Sequence, residues 1–154
     1  MRYWLMKTEP DVFSIDDLAK KKREPWTGVR NYQARNHMRD GMSVGDKVLF
    51  YHSSCEVPGV AGLATVASEA YPDPTQFDQK SEYFDPKSTR EEPRWQMVDV
   101  AFERKFGRVV SLEELKAHAD ELEGFTLLNR GNRLSVFPVD KRHYDQVLKL
   151  EKSK

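Results

Sequence analysis

Two glycines followed by a lysine form the first pattern in the chain that could carry chemistry, because such loops can cradle phosphates. Gly41, Gly45 and Lys47 are one residue too close together for that loop, and Asp46 separates the second glycine from the lysine. An apolar run of strand character follows at the point where a phosphate loop requires a helix. The segment therefore predicts a structural turn.

His52 and Cys55 are the next candidates, since a histidine and a cysteine three residues apart can both bind a metal. No second pair with zinc spacing accompanies them, so the pattern favours a free cysteine and predicts no metal site. The sequence contains no Gly-x-Ser-x-Gly elbow, no His-Glu-x-x-His helix and no dinucleotide fingerprint. We expect no catalytic residues and no cofactor.

Basic residues beside aromatic ones give a more informative pattern. Residues 20–39 contain seven basic residues and one acidic residue, and Trp26 and Tyr32 lie among them. Such a segment can hold phosphates and stack bases. Composition alone equally allows packed aromatic rings with solvated arginines, and a helix end complemented by lysines.

The formal net charge is nevertheless zero, with 25 Lys and Arg against 25 Asp and Glu. As a whole-chain average, this counts against a protein coated in nucleic acid. Residues 69–99 contain eight acidic and four basic residues, so two oppositely charged segments cancel. We expect weak general affinity for nucleic acid and a shallow salt dependence.

Length and composition exclude several classes of protein. A chain of 154 residues predicts one domain over residues 1–154, and 32% charged with 38% hydrophobic residues is typical of neither a disordered chain nor a membrane protein. No apolar run approaches the roughly 20 residues that span a bilayer. The first residues lack the apolar region of a signal peptide, and Cys55 is the single cysteine. These features predict a cytoplasmic protein without a membrane partner.

Hydrophobic spacing and turn residues predict the elements that position these side chains. The predicted strands are Tyr3–Lys7, Lys47–His52, Val60–Tyr71, Trp95–Phe106 and Arg133–Val139, with a helical alternative for the third. Two predicted helices begin at capping boxes, Ser14/Asp17 and Ser111/Glu114. Two further helices are predicted over Asn31–Arg39 and Asp140–Leu150. Tyr71–Pro93 is a long proline-rich loop, and such loops are often functional.

This mixed order of strands and helices lacks regular β-α-β alternation. It therefore predicts an α+β fold with a small, mostly antiparallel sheet or barrel.

Six further segments of the chain form a recognisable set, namely Tyr3–Pro10, Trp26–Asn36, Val48–Ser53, Ala70–Pro74, Pro93–Val100 and Asn132–Val136. In this order they resemble the EVE domain family, and the resemblance covers residues 3–150. Thr8 stands where the family usually has serine, which keeps the hydroxyl group.

The resemblance implies a PUA-like fold, a small curved β-barrel flanked by helices and related to the ASCH and YTH domains. It also implies a non-catalytic reader of a modified base in DNA or RNA, with modified cytosines as the better supported ligands. The absence of a basic N-terminal extension resembles the bacterial members, which often accompany restriction systems. The alternatives are an RNA-modification-associated enzyme or accessory factor, and a protein-interaction module that uses the loop Tyr71–Pro93.

Reading one small modification favours extrusion of the base into a pocket, because stacking on aromatic side chains offsets the cost of unstacking. We expect Trp26, with Trp95 or Tyr51, to form the pocket walls. The expected contacts to the base edge are Asn31, Thr8 and Ser135, beside Leu134 and with His52 as a possible donor. The expected phosphate contacts are Lys7, Arg30, Arg35 and Arg133.

Several of these residues have ordinary structural interpretations that the sequence leaves open. Asn31 could cap the helix that follows it. Ser135 could be an ordinary strand residue, and His52 could be a hydrogen-bonded core histidine. Trp4 is expected to pack in the core because it lies within the first strand.

Overall fold

The computed structural model describes residues 1–153. Eight β-strands are present in this part of the chain: β1 (Tyr3–Thr8), β2 (Arg23–Pro25), β3 (Lys47–His52), β4 (Gly59–Val66), β5 (Tyr71–Pro72), β6 (Gln96–Met97), β7 (Asp99–Ser111) and β8 (Val136–Val139). The four α-helices are α1 (Ile15–Lys21), α2 (Tyr32–Asn36), α3 (Leu112–Ala117) and α4 (Lys141–Lys152). Within residues 1–153 no helix has the length and apolar character needed to cross a bilayer.

Six strands form one curled sheet in the order β2-β7-β4-β3-β1-β8, and β5 pairs with β6 in a separate ribbon. Among the strands of residues 1–153, β1 and β3 pair in parallel and the other pairs are antiparallel. The predicted α+β class with a mostly antiparallel sheet is therefore confirmed. Because β1 and β3 run in the same direction, Thr8 and His52 lie side by side where both strands end.

The two faces of β1 belong to two different hydrophobic clusters. Met6 packs in one cluster with Trp26 and Phe50. Leu5 packs in the other with Tyr51 and Phe137. This alternation follows from the two-residue period of a strand. Trp4 is buried as expected, and its indole N–H donates to Asp46 at 3.0 Å.

The predicted capping box at the start of α1 is confirmed. The Asp17 N–H donates to the Ser14 hydroxyl at 3.1 Å, and the Ser14 N–H donates to the Asp17 carboxylate at 2.9 Å. Only half of the second box forms. Ser111 accepts from the Glu114 N–H, but the Glu114 carboxylate binds Arg108.

Two predicted strands have different bounds in the structure. The strand expected to run to Tyr71 ends at Val66, and Tyr71–Pro72 instead pairs with Gln96–Met97. The strand expected over 95–106 is interrupted at Val98 and then extends to Ser111. Val98 is fully buried, and its carbonyl accepts from the Trp26 N–H at 2.9 Å, which continues the antiparallel pairing of β2 with β7.

The basic segment also differs from the prediction. The helix end expected at the lysines is present, since Lys20 and Lys21 lie in the last turn of α1, but Arg23 belongs to a short edge strand, Arg23–Pro25, that pairs with β7. The helix expected over Asn31–Arg39 divides into α2 and a π-helical turn at His37–Gly41. The last predicted strand begins only at Val136: the chain turns at residues 130–131, and the Leu134 N–H donates to the Asn132 side-chain oxygen at 3.2 Å.

Candidate nucleic-acid interface

A cleft of about 630 Å³ opens at the edge of the sheet where β1 and β3 end. The loop between β2 and α2 faces the ends of these strands across the cleft, and residues of the long loop form part of its rim. Half of the predicted site residues line it, namely Trp26, Thr8, Ser135, Lys7, Arg30 and Arg133.

Trp26 forms the aromatic wall on the side of the first cluster. Its ring centroid lies 6.5 Å from that of Phe13 and 5.7 Å from that of Phe50, and both contacts are nearly edge to face. Trp26 is only 7% exposed, so a small part of the indole is accessible from the cleft. The indole N–H has no acceptor within residues 1–153, which leaves one donor for a ligand.

Thr8 and Ser135 place two hydroxyl groups in the cleft. The Thr8 hydroxyl donates to the Phe13 carbonyl at 3.1 Å, so its oxygen can still accept a hydrogen bond. The Ser135 hydroxyl has no partner among the described residues, and its carbonyl accepts from the Lys7 N–H at 2.8 Å. Both hydroxyls can therefore contact the polar edge of a ligand.

Among the cations that line the cleft, Lys7 and Arg133 have no acidic partner in the described part of the chain. The Lys7 ammonium lies 5.8 Å from the ring centroids of Tyr51 and Phe137. Burial lowers the pKa of Lys7 from its usual value. An ammonium that is half-buried and unpaired favours an acceptor-rich or anionic ligand.

Arg30 lines the cleft, but its guanidinium is already used to join two loops. It donates to the Tyr83 carbonyl at 2.8 and 3.1 Å and to the Asp73 carboxylate at 3.2 Å. It also reaches the Thr75 hydroxyl at 3.0 Å. Arg30 therefore fixes the cleft wall, with little donor capacity left for a phosphate.

The long loop is ordered around a fully buried glutamine. Gln76 donates to the carbonyls of Asp73 and Trp95 and accepts from the Ser88 hydroxyl and the Trp95 N–H. The Asp73 carboxylate, also buried, accepts from the Gly28 N–H at 2.8 Å. These bonds fasten the acidic loop to the loop that carries Trp26.

Tyr51 and Trp95, the two alternative walls, lie outside the residues that line the cleft. Tyr51 is 3% exposed within the second cluster, and burial raises its pKa to about 12. Trp95 stacks on Tyr32 at 4.7 Å, and its indole N–H donates to Asp85 at 2.8 Å. The packing of each ring is complete without a ligand.

Four other predicted residues also lie outside the cleft lining. Asn31 caps α2 by accepting from the Ala34 N–H, and His52 accepts from the Ile15 N–H at 3.1 Å. Leu134 packs against both hydrophobic clusters. Arg35 stacks on Tyr32 and donates to the Arg94 carbonyl. The structure thus gives Asn31 and His52 the structural roles that the sequence had left open.

Several residues of the cleft were not predicted from the sequence, among them Phe13, Gly28 and Tyr83. Phe13 packs against Trp26, and Tyr83 covers Gly28 so closely that a Cβ there would lie 2.6 Å from the tyrosine ring. Burial, followed by the nearby Glu82 carboxylate, raises the pKa of Tyr83. The length of the loop was the available signal for Tyr83, but it did not identify the residue.

Acidic and histidine side chains do not converge into a metal site in the part of the chain that the structure describes. Cys55 is a free thiol. The cleft offers aromatic, hydroxyl and cationic groups, an arrangement suited to binding a nucleotide.

A curled mixed sheet with four helices and a cleft at its edge defines a PUA-like domain. An ASCH protein from Zymomonas mobilis shares this fold with a TM-score of 0.58 at 10% identity, over 97% of this chain and 99% of that one. The chain belongs to the EVE domain family, whose model matches residues 2–150.

Individual relatives support the same assignment. Mouse thymocyte nuclear protein 1 is 43% identical over 169 residues, which cover 98% of this chain and 74% of the relative. A structure from Leishmania major is 55% identical with a TM-score of 0.93, over 99% of this chain and 95% of that one. Human THYN1 in complex with 5-methylcytosine containing DNA is 42% identical with a TM-score of 0.94, over 100% of this chain and 99% of that one.

These relatives correct one expectation and leave another without support. The cytoplasmic localisation predicted from the lone cysteine is contradicted by relatives named thymocyte nuclear protein 1. A reducing compartment includes the nucleus, so a free cysteine does not distinguish the two. The bacterial origin is not supported, because these curated relatives are animal proteins.

Proposed function

We propose that this chain is a non-catalytic reader that binds a modified nucleobase, with 5-methylcytosine in DNA as the first ligand to test. The observation that carries the proposal is the cleft itself, which combines the unpaired indole N–H of Trp26 with two unpaired cations. The similarity to human THYN1, whose structure contains 5-methylcytosine DNA, directs the choice of ligand.

In the proposed complex the modified base leaves the duplex and enters the cleft. Trp26 contacts the ring of the base, and the hydroxyl of Thr8 contacts its polar edge. Lys7 and Arg133 contact the phosphate backbone, which adds affinity without sequence information. Unstacking a base costs a few kcal/mol, and an aromatic contact returns about 1–3 kcal/mol.

The comparisons do not favour an RNA-modification-associated enzyme. A functional association with restriction or RNA-modification systems stays a prediction of the family resemblance.

The test is a fluorescence-anisotropy titration of matched duplexes that carry either one 5-methylcytosine or cytosine at the same position. A second pair of RNA oligonucleotides, with and without 5-methylcytidine, distinguishes the polymers. We expect the methylated DNA duplex to bind more tightly. Equal affinity for modified and unmodified strands in both polymers would refute the proposal.

Two substitutions of Trp26 test whether this residue forms the wall that contacts the base. Trp26→Ala should weaken binding to the methylated duplex by about fivefold to a hundredfold, because it removes the aromatic contact. Trp26→Phe keeps an aromatic ring but removes the indole N–H, so it should weaken binding less than Trp26→Ala does. Thermal melting of both variants shows whether the core is intact, and a folded Trp26→Ala with full discrimination would exclude Trp26 as the wall.

A further inference from the structure

The end of β1 divides the cleft into two halves that differ in chemistry. Successive side chains on β1 face opposite sides of the sheet, as the membership of Met6 and Leu5 in different clusters shows. Thr8 follows Met6 toward the Trp26 side. Lys7 follows Leu5 toward the other side, where its ammonium lies over Tyr51 and Phe137.

Ser135 belongs with Lys7. The antiparallel register of β1 and β8 pairs Met6 with Val136 and Leu5 with Phe137, so its continuation brings Ser135 opposite Lys7. The Lys7 N–H donates to the Ser135 carbonyl, which confirms this continuation. An unpaired ammonium and an unpaired hydroxyl therefore lie next to each other, and Arg133 adds a second free cation two residues away.

Acidic side chains are concentrated in the Trp26 half. The charges of Glu82 and Glu9 both act on Tyr83, whose ring packs against Gly28 beside Trp26. Glu24, which also lines the cleft, is paired with Lys21 at 3.3 Å. The cations of this half, Lys21 and Arg30, are paired with Glu24 and Asp73. A phosphate is therefore attracted more strongly to the Lys7 half, where Lys7 and Arg133 have no acidic partner among the described residues.

We infer that the two halves hold two parts of one nucleotide: the base in the Trp26 half, and a phosphodiester directly attached to that nucleotide in the Lys7 half. The inference rests on the proposed function and adds an orientation to it. Lys7 and Arg133 then select the polarity with which the target nucleotide enters the cleft, and do not contact distant parts of the backbone.

Neutral backbone linkages test this placement. Duplexes with one 5-methylcytosine are prepared with a single methylphosphonate immediately 5′ of it, immediately 3′ of it, or four linkages away. For the unsubstituted protein, one of the two adjacent linkages should weaken binding by about tenfold or more, since charge-assisted hydrogen bonds are lost. The distant linkage should change affinity by less than about twofold.

Lys7→Met supplies the coupling measurement. This variant should bind the all-phosphate duplex about as weakly as the unsubstituted protein binds the sensitive methylphosphonate duplex, and the neutral linkage should cause little further loss. Lys116→Met, on α3 and outside the cleft, removes the same charge and should leave the linkage effect unchanged. The inference would be overturned if binding stayed unaltered when either adjacent linkage is neutral. It would also be overturned if a neutral linkage weakened binding by Lys7→Met as much as it weakens binding by the unsubstituted protein.

The two proposals fail in different ways in this experiment. If modified and unmodified strands bind equally in DNA and in RNA, the proposed function fails, whatever the linkages do. If methylation is discriminated but no adjacent linkage couples to Lys7, only the placement of the phosphodiester is wrong.

Discussion

Gln76 determines whether the long acidic loop keeps its fold, and replacing it with leucine is a direct test. The side chain is fully buried and joins three separate parts of the loop through Asp73, Ser88 and Trp95. Leucine has a similar size, so the substitution removes hydrogen bonds with little change in packing volume. The Trp95 N–H loses its acceptor, and the Asp73 carbonyl loses its shortest donor, at 2.7 Å.

The expected cost follows from these lost partners. An unsatisfied buried polar group costs about 1–3 kcal/mol. Because two groups lose a partner and the structure around the second can partly relax, the total is expected to be about 2–4 kcal/mol. For a domain of this length, that loss lowers the melting temperature by roughly 5–15 °C. Urea denaturation monitored by circular dichroism measures the free energy of unfolding.

Gln146→Leu is the matched control, because Gln146 makes one surface hydrogen bond to Glu121. It should change the free energy of unfolding by less than about 0.5 kcal/mol. A loss below about 1 kcal/mol for Gln76→Leu would refute the view that the buried amide organises the loop.

Two further substitutions test the cleft wall and the start of α1. Gly28→Ala should destabilise the protein by about 1–2 kcal/mol and reduce discrimination between methylated and unmethylated duplexes, because φ is +85° and the new Cβ would displace Tyr83. Gly45→Ala has a similar φ of +95° but no atom within 4 Å of its Cβ, so equal binding defects in both variants would contradict a specific role for Tyr83. Burial lowers the pKa of His52, so its neutral form stabilises α1 fully above about pH 6.5, and this contribution is lost as the pH falls through the lowered value. The unsubstituted protein should therefore lose more free energy of unfolding between pH 7 and 5.5 than His52→Gln does, and equal losses by urea denaturation would show that His52 does not carry the dependence.

Local patterns predicted the parts of the fold that local physics determines. The Ser14/Asp17 capping box and the strand at Lys47–His52 depend on residues close in sequence, and both appear as predicted. The break at Val98 lies where the chain changes partners, since Gln96–Met97 pairs with Tyr71–Pro72 and the strand after Val98 pairs with Arg23–Pro25 and Gly59–Val66. No periodicity within the strand itself contains that information.

In the candidate site, too, some residues could be named from the sequence, whereas their contacts with distant residues could not. Basic and aromatic composition directed attention to Trp26, and the segments that resemble the family contain Lys7 and Arg133; the structure brings all three to one cleft. Composition could not show that Arg30 is occupied by Tyr83, because the two residues meet only after the long loop folds back. Nor could it show that Trp95 already stacks on Tyr32 and donates to Asp85.

The neutral charge of the chain now has a structural explanation. Most cations of the basic segment are neutralised within the protein: Arg23 by Asp99, Lys21 by Glu24, Arg30 by Asp73 and Arg39 by Asp40. Lys7 and Arg133, both outside that segment, are the cleft cations without such partners among the described residues. Two phosphate contacts imply a logarithmic salt slope of only about −2, so long-range attraction to nucleic acid is weak. Affinity must then come from the fit of one nucleotide in the cleft, which is the condition under which a small base modification can decide whether the protein binds.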